Sequence, residues 1–517
     1  MTLTAFIPIL LLLIAAPLSV IISRRTVVGR NWLLGALMSV ALVVNTYFLA
    51  EALAGRFTTA VLNEGAFLQL TLNAASLFIG ELVLFIGFLG LIYSFRYMPE
   101  NEDSTYYYPL YTLFVLFMLC MGSSFNVGAM FVFLELTTIV STILILYSYR
   151  RRSAHAAYRF VALSMLDSVL ILAGLFWQYS MTHSLMLTSL GNVSSVDATG
   201  LALLYLAGFG IKAGLIPFGL IWLPPAHSEA PIPVHTLLSA VLVQVAAFDM
   251  ARIYGNLAID NLSLTYGLLW FGFISMIVGA GLALTEIWLG SNYSHFHVGR
   301  NPTHSIKRVW AFSTVSEVGY IVAIFSLGFV LMRGAQYEAA LLFGFGGAMI
   351  HMYNHGFCKA QLLLDAGVGI KYTHTQDLGR LGELRKVLKT KSVTYMIGGL
   401  SLALVPGTLG VRTLQELVLN HEIPLAYVGI TLATAMLALV TIVSAWYRAF
   451  IEPAKVRVDT QYKPSKLMTV PGYVLVALVL CAGVWFTLAA FGINIVVSQE
   501  AFESALQRLV ESVIYQI

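Results

Sequence analysis

Charge is scarce in this chain. Asp, Glu, Lys and Arg make up 10% of its 517 residues, against about 25% in an average soluble domain. Cysteine is scarcer still: Cys120, Cys358 and Cys481 are the whole complement, far apart and without a CxxC spacing. These shortages exclude a water-soluble enzyme, a disordered chain and a disulfide-stapled secreted domain. There is no basic domain for nucleic acid. There is also no cysteine cluster, no GxGxxG after a strand and no CxxCH, so no cofactor is expected and any redox chemistry would lie in other subunits. The three cysteines read as small core residues.

What the chain has is apolar sequence, 59% by count. A membrane helix needs about 20 apolar residues. Runs of that kind lie near 4–23, 31–50, 69–95, 107–127, 129–148, 157–180, 199–222, 233–254, 263–289, 309–331, 338–366, 392–419, 424–449 and 469–493. The expected fold is an all-α polytopic membrane protein of about fourteen transmembrane helices. The first run is too long for a signal peptide and lacks a small-residue cleavage site.

Positive residues gather after odd-numbered runs: Arg24, Arg25 and Arg30; Arg150, Arg151 and Arg152; Arg300, Lys307 and Arg308; then 371–391 and 455–466. The even connections hold little beyond Arg56, Arg252 and Arg333. Basic loops stay cytoplasmic, so both termini are expected on the non-cytoplasmic side. The last stretch, 498–517, has helical spacing and mixed charge and is expected on the outer surface or capping the bundle.

Ionisable groups inside apolar runs cost on the order of 2.5–3.5 kcal/mol each on insertion scales and mark function. Glu135, Asp167, Lys212, His235, His351, His355, Lys359 and Glu416 stand in such runs. Pro217 and Gly219 follow Lys212, and Pro406 and Gly407 interrupt the twelfth run. Two interrupted helices in two halves of a chain suggest a transporter with internal repeats. His351, His355 and Lys359 are spaced i, i+4, i+8 and share one helix face, a stripe suited to a water chain. The competing reading is interhelical hydrogen bonding that only holds the bundle together.

The stretch LAGFGIKAGLIPFGLIWLPPAHSEAPIPVHTLLSAVLVQ resembles the antiporter-like subunits of respiratory complex I, a family that includes Mrp Na+/H+ antiporter subunits and the membrane arms of hydrogenases and sulfane reductases. FVFLELTTIVS, HSIKRVWAFSTVSEVGYI, MIHMYNHGFCKAQLLLDAG and LGRLGELRK carry the same resemblance, which covers about residues 70–450. It implies two inverted five-helix repeats with helices seven and twelve broken. The corresponding division is 1–106 for the first three helices, 107–256 and 257–450 for the repeats, and 451–517 for the last helix and an outer helix. It implies that Glu135 and Lys212 form the paired glutamate and lysine of the first half, and that His351, His355 and Lys359 lie on a central hydrophilic axis.

The departures are equally specific. Gln244 stands where the family carries a lysine, with His235 two to three turns earlier. Leu414 stands where a lysine or glutamate is usual, flanked by Arg412 and Glu416, and Glu317 replaces a glutamine. The expected proton path is therefore Glu135, Lys212, His235, His351, His355, Lys359 and Glu416, with Asp167, His227, Glu317 and Arg412 as accessory candidates and no metal site. The expected role is a proton-translocating subunit of a larger complex in a prokaryotic plasma membrane, with other membrane subunits, protons or Na+, and lipid as partners. The rivals are a Na+/H+ antiport subunit and a structural membrane-arm subunit whose second half-channel has decayed.

Overall fold

The computed structural model describes residues 3–98, 104–148, 150–257, 262–289, 305–419, 423–456, 463–490 and 499–514. The first six apolar runs are α1 (Ile7–Ser23), α2 (Val27–Leu53), α3 (Ala74–Tyr97), α4 (Ser104–Ser123), α5 (Val127–Leu146) and α6 (Arg151–Thr182). The seventh run opens as α7 (Ser195–Ala213), breaks, and resumes as α8 (Gly219–Glu229). The eighth holds α9 (Ile232–Leu237) and α10 (Val243–Asn256), and the ninth and tenth are α11 (Leu262–Leu289) and α12 (Ile306–Arg333). The eleventh holds α13 (Tyr337–Ala339) and α14 (Gly347–Thr373), and the twelfth is split into α15 (Lys389–Leu402) and α16 (Gly410–Leu419). Then come α17 (Leu425–Phe450), α18 (Lys466–Ala490) and α19 (Gln499–Ile514). A short antiparallel hairpin, β1 (Ala60–Leu62) and β2 (Leu70–Leu72), pairs Ala60 with Leu72.

Among the described residues, twelve helices are long and apolar enough to cross a membrane. The eleventh and twelfth runs fall outside that set for physical reasons. α14 carries two histidines, an asparagine and a lysine on one stretch. The twelfth run is cut into pieces of 14 and 10 residues, each shorter than a bilayer needs.

Both breaks are repaired by neighbouring side chains, as a backbone without water requires. At the first, Gly214 turns the chain with φ +84°, the Trp222 indole donates to the Ile211 carbonyl at 2.8 Å, and the Ile216 amide donates to Ser275 at 3.3 Å. At the second, Leu404 and Gly407 both take left-handed φ. There Asn354 of α14 donates to the Ser401 carbonyl at 3.2 Å, and Ser401 Oγ accepts from the Gly410 amide at 3.0 Å.

Residues 232–254 are buried without exception, which makes the α9–α10 run the central pillar. On it, residues Leu238–Leu242 wind as a π-helix, and Ala340–Gly346 do the same ahead of α14. Large apolar side chains such as Leu10, Val43, Val169, Phe176 and Met436 stand exposed on the outer helices, as lipid-facing positions do. Cys120 and Cys358 are buried as expected, but Cys481 is exposed on α18 and belongs to that outer surface rather than to the core. The C-terminal helix caps the bundle: Leu506, Leu509, Val510 and Val513 are buried, and Ser512 accepts from the Ala75 amide at 2.7 Å.

Candidate functional site: a buried polar line

The broken seventh run ends its first piece on Lys212. Its ammonium, 1% exposed, donates to the Thr138 hydroxyl of α5 and to Ser164 Oγ of α6 at 3.0 Å. The carboxylate within ion-pair reach is Asp167, at 3.9 Å and fully buried. Neither Asp167 oxygen has a hydrogen-bond partner among the described residues. Glu135 sits half-buried one helix away and accepts from Ser168 at 2.7 Å. The resemblance pairs Lys212 with Glu135; the observed arrangement brings Asp167 within ion-pair distance of Lys212, with Ser168 linking the α5 acid to the α6 backbone at Ser164. Lys212 also lies over the Phe160 ring at 4.9 Å.

Beyond the break, His227 closes α8 and His235 sits on α9. Both are fully buried, and their rings meet at a tilt of 51° with centroids 4.7 Å apart. All four ring nitrogens lack a hydrogen-bond partner among the described residues. A buried polar group left unpaired costs on the order of 1–3 kcal/mol, so a pair of such rings in a helical core calls for water or for a function.

The next links cross from the pillar to α12 and α14. Ser239 and Thr314 share a hydrogen bond of 2.6 Å. His355 Nε2 lies 3.0 Å from the Ser239 carbonyl, so this nitrogen donates, and Nδ1 has no partner among the described residues. That carbonyl lies within the π-helical turn; such turns disturb the regular ladder and are frequent at functional sites. Lys359 donates to the Trp310 carbonyl at 3.1 Å. His351 Nε2 is 2.9 Å from Glu317 Oε2, and its Nδ1 is 3.3 Å from Thr413 Oγ1. His351, His355 and Lys359 are 2%, 0% and 0% exposed. Gln244, in place of a lysine, donates to the Ala240 carbonyl at 2.5 Å, and its carbonyl oxygen has no partner among the described residues.

The outer end of the second half is less polar. Leu414 is half-buried on α16. The Arg412 guanidinium lies 5.5 Å from the Phe486 and Phe502 ring centroids. Glu416 falls on α16, but its side chain lies outside the described residues.

Several half-buried or buried acids escaped the sequence reading, Glu81 among the half-buried. Glu81 on α3 accepts from Asn45 at 2.8 Å and Thr46 at 2.7 Å. Asp249 pairs with Arg252 at 3.1 Å, Glu286 with Arg308 at 3.2 Å, and Asp365 with Lys391 at 2.7 Å. Lys307, read as a loop charge, is buried at the start of α12. The signal was available for Glu81 and Asp249, which interrupt apolar runs as Glu135 does.

With this geometry in place, likeness to known proteins decides the family. The family described as "NADH:quinone oxidoreductase/Mrp antiporter, TM" matches residues 124–291 and 298–441, more than half of the chain. The chain belongs to this family. Hydrogenase-4 component B of Escherichia coli is 30% identical over 352 residues, 66% of this chain and 49% of that protein. The putative antiporter subunit mnhA2 of Staphylococcus saprophyticus is 28% identical over 381 residues, 71% of this chain and 45% of that protein. The chain thus spans about half the length of these two relatives. A Na(+)/H(+) antiporter polypeptide of Alkalihalophilus pseudofirmus is 26% identical over 409 residues, 77% of this chain and 76% of that protein.

Solved structures share the fold of this family member nearly end to end. A chain of the archaeal membrane-bound sulfane sulfur reductase superposes with a TM-score of 0.80 at 19% identity, covering 99% of this chain and 98% of that one. A chain of the Mrp complex from Dietzia gives 0.77 at 18% identity, covering 100% and 99%.

Proposed function

We propose that this chain is a proton-translocating, antiporter-like subunit of a multi-subunit membrane complex, either the membrane arm of a complex I-like redox enzyme or an Mrp-type assembly. The observation that carries the reading is the buried lysine at a helix break, held by Thr138 and Ser164 and 3.9 Å from Asp167. A desolvated lysine beside a carboxylate is a proton site whose occupancy the carboxylate controls. Small displacements of Asp167 or Glu135 change the field at Lys212 and move the proton on. The line from His227 and His235 through Ser239, His355 and Lys359 to His351 and Glu317 supports onward transfer, because imidazoles pass protons near neutral pH.

In this reading both termini lie on the non-cytoplasmic side, supported by the basic residues after odd-numbered runs, and the chain divides into an N-terminal part, two five-helix repeats over 107–256 and 257–450, and a C-terminal part, supported by the two helix breaks. Glu416 is retained in this reading as the outer exit group, with Arg412 at i−4 on the same helix face.

Lys212→Met in the assembled complex, reconstituted in liposomes, tests the assignment. Assembly is expected to persist and proton movement to fall to background; full transport by that variant ends the reading.

A second reading has its own observation. A cavity of about 20 Å³ touches Glu317, Ser316, Thr431 and Thr434, and Thr431 Oγ1 is buried without a hydrogen-bond partner among the described residues. Oxygen donors around one acid suit a water or a dehydrated Na+. Transport that requires Na+ and loses that requirement in Glu317→Gln favours Na+ exchange over proton movement alone.

A further inference from the structure

Lys307 takes no part in the polar line described above. It opens α12, whose first turn is pinned by the Ile306 amide donating to the Gln376 carbonyl at 2.9 Å. The side chain is 5% exposed, yet it borders a cavity of about 820 Å³ at the end of the bundle that carries the basic connections. Arg150, Arg152, Lys371 and Arg380 line the same cavity, offset by Glu229 and Asp377. The Lys307 ammonium donates to the Ser228 carbonyl at 2.6 Å and to the Ala230 carbonyl at 2.6 Å, two residues that line the same cavity. Those two carbonyls belong to the end of α8 and the link to α9, directly after His227 and five residues before His235. The lysine therefore joins this cavity to the backbone segment that carries two adjacent imidazoles, with no partner for any ring nitrogen among the described residues.

We propose that Lys307 is the proton carrier between water in this cavity and the His227/His235 pair. The inference rests on the proton-translocation reading above.

The chemistry suits an amine in this place. An ammonium has three N–H donors, and two of them are held by the Ser228 and Ala230 carbonyls. A neutral amine still has two N–H donors and one lone pair. The carbonyls stay satisfied in both protonation states, so the charge changes without breaking the link they hold. Only the third position alternates. As N–H it gives its proton to an imidazole nitrogen, directly or through one water; as a lone pair it takes a proton from water in the cavity. One proton leaves Lys307 and one returns for each proton delivered.

The bland alternative is a pin. Cations bind the carbonyl end of a helix favourably, and a lysine that only caps α8 needs its charge and its donors but never its proton transfer. Arginine separates the two roles, because a guanidinium keeps charge and donors but does not deprotonate in proteins.

The test uses the assembled complex in liposomes. Lys307→Arg is expected to assemble normally and to lose proton transport by about tenfold or more, the scale of a lost proton-transfer group. Lys307→Cys, in a Cys481→Ser background to remove the exposed thiol, is expected to be equally impaired. Its thiol should react with 2-aminoethyl methanethiosulfonate supplied in water, and the attached amine should restore a measurable part of the transport. Full transport by Lys307→Arg overturns the carrier role. A Lys307→Cys thiol that stays unlabelled from both sides of the membrane overturns the cavity route, even if the Arg variant is slow or fails to assemble. Lys212→Met is run alongside: loss there with normal transport in Lys307→Arg removes only this inference, whereas full transport there removes the reading on which it rests.

Discussion

The two halves of this protein break a helix in the same way and then diverge. In the first half the break ends on a lysine, and neighbouring helices supply Thr138, Ser164 and Asp167 to meet it. In the second half the break is sealed by Asn354 and Ser401, and the piece beyond it presents half-buried Leu414. The titratable chemistry has shifted from the broken helix to its neighbours, where Glu317 and His351 meet at 2.9 Å. A helix break frees backbone groups and makes room; what the break does depends on whether a charge stands beside it. The first break is built around a lysine whose nearest carboxylate holds no hydrogen bond among the described residues. The second is held closed by a carboxamide and a hydroxyl, and its acid already has an imidazole.

This contrast is open to attack, starting where the effect should be largest. Asp167→Asn leaves Lys212 buried without its nearest carboxylate. Breaking a buried pair costs about 3–5 kcal/mol, so transport should fall by two orders of magnitude or more, or the complex should assemble poorly; purification yield and proton movement in liposomes read both. Glu135→Gln should cost less than Asp167→Asn, since Asp167 is the carboxylate within ion-pair reach of Lys212 and Glu135 acts on it from farther away. Equal or reversed losses would restore Glu135 as the primary partner and reduce Asp167 to a support.

The second half should answer in stability more than in transport. Asp365→Ala strips Lys391 of a partner at 2.7 Å and Thr394 of one at 2.6 Å, again about 3–5 kcal/mol for a buried pair. The melting midpoint of the detergent-solubilised protein should drop by several degrees, while any intact complex still transports at a normal rate. Glu317→Gln, which puts the family's usual residue back, should change transport by less than about threefold, within the roughly 0.5–1.5 kcal/mol net worth of one hydrogen bond. Glu416→Gln removes the proposed exit group, so fewer protons should move per turnover; unchanged movement would take Glu416 out of the path and make the second half mainly structural.

Much of this was legible in the sequence. The apolar runs, the two breaks and the charge alternation pointed to the membrane fold, and the i, i+4, i+8 spacing put His351, His355 and Lys359 on one face. Contacts between helices were not legible. Spacing along one helix says nothing about which acid on another helix meets it: the resemblance implies Glu135 as the partner of Lys212, and Asp167 is the acid within ion-pair reach. Lys391 and Arg308 looked like orienting loop charges, yet each closes an ion pair with an acid that is at most 5% exposed. The π-helical turn at Leu238–Leu242 leaves no composition signal, although the Ser239 carbonyl within it is what His355 contacts. The contact of the His227 and His235 rings joins residues separated by a helix end, and no periodicity links them.

In this mechanism the first half carries the obligatory proton site and the second half serves it. The direct measurement is the number of protons moved per turnover of the assembled complex in liposomes, compared for the wild type, Lys212→Met and Glu317→Gln in one preparation, with partner turnover as control. The expected result is background movement for Lys212→Met and near-normal movement for Glu317→Gln. Normal movement for Lys212→Met together with loss in Glu317→Gln would contradict the mechanism and place the essential site in the second half.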